Sequence, residues 1–93
     1  MRLAAVTIAY RSDINELIRN IASYIEEVDV MILWDNSEQP LDLSKIQSEY
    51  PKMEIYQDGV NYGLPYVYNW AIDYAEKQGC THIMTMDQDS CFE

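Results

Sequence analysis

The sequence predicts an α/β fold, a mainly parallel four-stranded sheet flanked by helices. Three observations predict it. Four short apolar runs, each of strand length, are separated by segments of helical periodicity or turn-formers. The order that results is strand, helix, strand, short helix, strand, helix, strand, which implies right-handed crossovers and parallel pairing. No repeat, linker or low-complexity tract interrupts the 93 residues, which amount to one domain or part of one.

Each element has its own justification. "RLAAVTIAY" is an unbroken apolar run rich enough in Val, Thr and Ile to be a strand buried on both faces. In "RSDINELIRNIASYIEEVD", Ile14, Leu17, Ile18, Ile21, Ile25 and Val28 recur every three or four residues, the stripe of a single helix. Asp13 followed by Glu16 forms a capping box at its start, with Ser12 as a rival cap. "VDVMILW" is a second strand, broken by Asp35-Asn36-Ser37. Pro40 and Pro51 bracket a short helix that carries Leu41, Leu43 and Ile46. "KMEIYQ" is a third strand, short and suited to an edge, and "DGVNYG" is a loop. From Leu64 a second long helix begins with Pro65 in its first turn and buries Val67, Trp70, Ala71, Tyr74 and Ala75. Gly79 is placed to end it, and "CTHIMTM" is the fourth strand.

Composition narrows function. A net charge of −10 repels nucleic acid and anionic lipid, so a polynucleotide partner is not expected. A phosphorylated ligand would need an imported cation, because the six basic residues are scattered singly. Cys80 and Cys91 have neither CxxC spacing nor His-rich company, which argues against zinc and for reduced thiols. The amino-terminal apolar run stops at Arg11, without a clear cleavage site, and suits a strand better than a signal peptide. No run is long enough to cross a bilayer. These features predict a cytoplasmic protein.

In a parallel sheet all carboxyl ends share one edge, where ligands bind. Tyr10-Arg11, Asp35, the Asn61 loop and Asp87/Asp89 each follow a strand and are expected on that rim. Asp87 and Asp89, two apart on an extended backbone, repel one another unless a cation lies between them. A hard cation such as Mg²⁺ takes one or two carboxylates and completes its shell with water and phosphate. The alternative is a solvated loop in which Asp89 caps a following helix. Asp35 suits either a hydrogen bond to a base or ribose or a local Asx-turn. Asn61 and Gly63 precede a helix amino end with free N–H groups, and Asn69 lies inside that helix, where an amide wants a partner. Arg11 is the one cation expected near the rim.

Taken together, "VTIAYRS", "VDVMILWDNSEQP" and "NYGLPYVYNWAIDYAEKQGCTHIMTMDQDS" resemble the amino-terminal half of a family-two glycosyltransferase of the Rossmann-like GT-A fold, closest to rhamnosyltransferases. The resemblance covers nearly all of residues 1–93. It implies that Ala9, Tyr10 and Arg11 line a nucleotide site and that Asp35 bonds the base of a nucleotide-diphosphate sugar. It further implies that Asn61, Gly63 and Asn69 shape the pocket, and that Asp87 and Asp89 hold Mg²⁺ or Mn²⁺ against the diphosphate. A cytoplasmic location follows from the same likeness, with a membrane-surface acceptor at the inner face for the full-length enzyme. The chain departs from the family at Arg11-Ser12, where Asn-Pro is common, and at Val67 and Ala71, which replace smaller residues. Family members continue well past the Asp-x-Asp into a half that supplies the acceptor site and catalytic base. The base is therefore expected beyond Glu93, and residues 1–93 alone are expected to transfer no sugar. An uncovered edge at "HIMTM" is expected to promote self-association. The rivals are a haloacid-dehalogenase-like phosphatase, whose nucleophile motif is also a strand followed by Asp-x-Asp, and a non-enzymatic α/β interaction domain.

Overall fold

A computed structural model describes residues 2–11 and 13–87, with the backbone only at Asp87. Four strands, β1 (Leu3–Ala9), β2 (Val30–Asp35), β3 (Met53–Gln57) and β4 (His82–Asp87), form one sheet in the order β3-β2-β1-β4. All three pairings are parallel. Three helices connect them: α1 (Ile14–Ala22), α2 (Ser44–Glu49) and α3 (Leu64–Lys77). The expected fold class is the one observed, and β3 lies at an edge as its length suggests.

Strand alternation sorts the core into two layers. From β1, Ala5 and Ala9 join Met31, Leu33 and Met53 beneath α1 and α2, together with Leu17, Ile21 and Ile46. The intervening Ala4, Val6 and Ile8 face the other way, with Val30, Ile32 and Trp34, against Val67, Ala71 and Ala75 of α3. Because β1 and β2 are buried on both faces, their sequences are continuously apolar rather than alternating. Alanines on both β1 and α3 let helix and sheet approach closely, and Val67 and Ala71 are fully buried. Burial of this kind makes truncating a core Ile or Leu to Ala cost about 2–5 kcal/mol.

The first helix is shorter than its apolar stripe. Asp13 caps it by accepting from the Glu16 amide at 3.0 Å, as the capping box predicts. It ends at Ala22, however, and Ile25–Glu27 form a separate 3₁₀ turn. The Ser23 hydroxyl donates to the Asn20 carbonyl at 2.6 Å, and the Ser23 and Tyr24 amides bond back three residues instead of four. A serine competing with the backbone tightens the last turn. Ile25 and Val28 still reach the core because the turn continues the same face. At the far side, Gly79 at φ +79° ends α3 in the left-handed conformation that glycine adopts freely.

Among the described residues no helix is long and apolar enough to cross a membrane.

Candidate functional site

The register aligns the strand ends. Ala9 pairs with Asp35 and Asp35 with Gln57, while Ile8 pairs with the backbone of Asp87. The tips of β1, β2 and β4 therefore share one edge, with Asp35 and Asp87 about 10 Å apart across two strand spacings. Successive connections step from β1 to β2 to β3, and the next crosses back to β4 on the other side of β1. The strand order thus reverses between β1 and β4, which is where an open α/β sheet forms a crevice. Tyr10, Arg11 and the end of β4 flank it.

The stretch Asp35-Asn36-Ser37 holds this edge together, and all three residues are buried. Asp35 Oδ1 accepts from the Ser37 amide at 2.9 Å, while Oδ2 accepts from the Leu41 amide at 2.7 Å and Gln57 Nε2 at 3.0 Å. Asn36 donates its amide to the Ala9 carbonyl at 2.8 Å and accepts on Oδ1 from the Tyr62 amide at 3.3 Å. Ser37 Oγ accepts from the Arg11 amide at 2.7 Å. Three consecutive side chains thus tie down three different loops. A carboxylate at 0% exposure with three donors on it is a structural anchor. Both Asp35 oxygens thus accept bonds from the protein itself. Of the two possibilities left open by the sequence, the local turn is the one adopted.

Other expected site residues divide similarly. Ala9 is fully buried and its carbonyl is taken by Asn36, so it supports the site without lining it. Tyr10 and Arg11 do stand at the rim. Arg11 has φ +52°, a left-handed conformation uncommon outside glycine, and the Ser37 hydroxyl holds its amide there. Its guanidinium lies 5.0 Å from the centre of the Tyr10 ring and 3.6 Å from a Glu38 carboxylate oxygen. Glu38 also accepts from the Tyr10 hydroxyl at 2.9 Å, and that bond above all holds its carboxyl below the usual range. Arg11, Glu38, Gln39 and Leu41 line a cleft of about 520 Å³, a volume in the range of small-molecule sites.

On the α3 side, Asn61 is exposed and its Oδ1 accepts from the Gly63 amide at 2.9 Å. Gly63 sits at φ +80°, ψ 164° just before α3, a conformation essentially confined to glycine. Asn69 lies on the exposed face of α3, because the helix buries Val67, Ala71 and Ala75 and a residue two beyond Val67 is turned some 200° away. Asp89 and Glu93 both lie outside the described residues. The expected metal pair is therefore described only at the backbone of Asp87, and the catalytic base expected beyond Glu93 has no counterpart among the described residues. Nor do three His, Cys, Asp or Glu side chains gather as a metal site among them.

Residues missed by sequence reasoning are Asn36, Ser37, Glu38 and Gln57. Each follows or ends a strand on the same edge, so the rule that identified Asp35 would also have included them. An aromatic layer was missed too. Trp34 stacks on Tyr56 at 5.5 Å and meets Trp70 at 5.0 Å, with Tyr62 and Tyr66 set edgewise. Its indole N–H is buried without a hydrogen-bond partner among the described residues. Burial pushes the Tyr56 hydroxyl up to about 12, with help from Tyr74 and Glu54.

No known family profile matches the chain, and neither does any curated protein sequence. Among solved structures, a crystal structure of 4-diphosphocytidyl-2C-methyl-D-erythritol synthase is similar, with a TM-score of 0.68 at 17% identity. The match covers 94% of this chain and 46% of that one, so this chain spans less than half the length of its structural neighbour. At that identity the likeness establishes the fold.

Proposed function

We propose that this chain supplies the part of a glycosyltransferase that binds a nucleotide-diphosphate sugar. The carrying observation is the reversal of strand order between β1 and β4, whose carboxyl ends share one edge with Tyr10 and Arg11. The resemblance of the strand ends to glycosyltransferases supports the reaction class. The structural neighbour, an enzyme named for a diphosphocytidyl compound, supports the broader class of nucleotide-linked substrates.

In this reading Tyr10 offers an exposed aromatic face to the ligand, and Arg11 offers the positive charge. Ser37 fixes the backbone that presents both. Asp35 and Asn36 keep the neighbouring loops from collapsing into the crevice. Asp87 and Asp89 would hold Mg²⁺ or Mn²⁺, whose charge would stabilise the nucleoside-diphosphate leaving group. Two carboxylates fit such an ion, since Mg²⁺ draws its remaining ligands from water and phosphate. Among the described residues Arg11 is the sole basic one in the loops that leave the strands' carboxyl ends, so the charge of those loops alone would not neutralise a diphosphate. In this reading the residues at this edge serve the donor, and donor binding alone transfers no sugar.

Calorimetric titration with UDP, TDP, GDP and CDP, with and without Mn²⁺, tests the reading. Metal-dependent binding is the expected result, weakened by Asp87→Asn. Binding indifferent to metal removes the role of Asp87 and Asp89, and sugar transfer by the 93 residues alone contradicts the division of labour.

A further inference from the structure

The cleft beside β1 contains an ion pair of unusual construction. Arg11 is held in a left-handed backbone conformation by a buried hydroxyl, a local strain of the kind that gathers at binding sites. Its side chain is nevertheless 71% exposed, with the guanidinium over the Tyr10 ring and against a Glu38 side chain that is itself 46% exposed. Such an exposed pair contributes little to stability. Strain on the backbone is therefore being used to place a side chain whose own contact is easily broken. Among the described residues Glu38 is the carboxylate paired with Arg11, the only cation in the loops at this edge. The Tyr10 hydroxyl fixes the carboxylate from its second side.

Resting on the nucleotide-diphosphate reading above, we propose that Glu38 is a stand-in for the ligand's phosphate: the free protein stores Arg11 on Glu38, and an arriving diphosphate exchanges with that carboxylate. The exchange swaps one anion for another on the same guanidinium, so the arginine stays oriented in both states and its ordering is prepaid. A diphosphate carries more charge than a carboxylate and presents paired oxygens to the guanidinium fork. Tyr10 gives up its hydrogen bond to Glu38 in the exchange. Glu38 thereby sets a threshold, because weak or singly charged anions do not displace it.

Two probes test this on the intact chain, inorganic pyrophosphate and UDP, each titrated first without and then with Mg²⁺ and observed through the Arg11 side-chain Nε–H and the Glu38 amide by NMR. Glu38→Gln removes the competing charge. At about 7 Å from a doubly charged ligand in salt water this is expected to tighten both probes by about three- to eight-fold. Arg11→Met is expected to weaken them by about ten-fold. Both variants are expected to unfold at the parent's temperature, because both side chains are exposed. Unchanged or weaker binding in Glu38→Gln overturns the exchange, and if UDP still binds the parent, the nucleotide reading survives that failure. If pyrophosphate binds and tightens while UDP binds no better than pyrophosphate, the exchange stands and the nucleotide reading fails. Binding of neither probe, even with Mg²⁺ present, overturns both.

Discussion

Replacing Asp35 by Asn distinguishes an anchor from a ligand-binding group. The amide keeps the size of the side chain but supplies one acceptor oxygen where the carboxylate has two. If the oxygen stays on Leu41 and Gln57, the new NH₂ faces the Ser37 amide, donor against donor. One charge-assisted bond is lost, worth about 1.5–3 kcal/mol, and a buried N–H is left without a partner. Relief from burying a charge offsets part of this, leaving a net cost of about 2–4 kcal/mol. A domain of this length has a total stability of about 5–14 kcal/mol, so the variant folds but is strongly weakened. At about 4–8 °C per kcal/mol, its melting temperature falls by roughly 8–32 °C. Urea unfolding followed by circular dichroism measures the loss, and hydrogen exchange at the Ser37 and Leu41 amides locates it. A change below about 0.5 kcal/mol, with Leu41 still protected, would refute the anchor. If nucleotide binding vanished in a variant of parental stability, Asp35 would be a ligand-binding residue after all.

Three further outcomes follow. Gly63→Ala places a Cβ at φ +80°, where space is available but the conformation is not, so a loss of about 1–3 kcal/mol is expected in chemical denaturation. Tyr56 keeps its proton to about pH 12 when folded but releases it near its ordinary value of 10.0 when unfolded. The stability it contributes is therefore complete below pH 10 and declines as pH rises toward 12. Tyr56→Phe should flatten the stability–pH profile over that interval, and an unchanged slope would count against the raised value. Finally, β4 is an edge strand of Ile, Met and Thr without an acidic or permanently charged residue before Asp87. We expect concentration-dependent self-association in light scattering, reduced by a charge at exposed Thr85 (Thr85→Lys); a monodisperse parent contradicts this.

The agreement between sequence and structure has a physical boundary. Helix α3 was legible from Leu64 to Gly79 because its stripe, Pro65 and terminal glycine all act within a few residues of one another. Helix α1 was legible at Asp13 but not at its end, since Ser23 and Tyr24 break the helix while leaving the apolar stripe in register. Tyr10 and Arg11 were found by their place after a strand. Asn69 was not excluded because its helix stripe says which residues are buried without saying what the opposite face meets.

Local patterning determined the α/β class, the strands and their helices, because burial of alternate or three-to-four-spaced side chains leaves its period in the chain. It also determined that one sheet edge would gather the polar groups. Which of those groups remain available was decided only by tertiary structure. Asp35 is consumed by Ser37, Leu41 and Gln57, whereas Arg11 is held forward by Ser37 and Glu38. These are contacts between loops brought together by parallel register, and a carboxylate reads the same in sequence whether its acceptors are filled by the protein or left for a ligand.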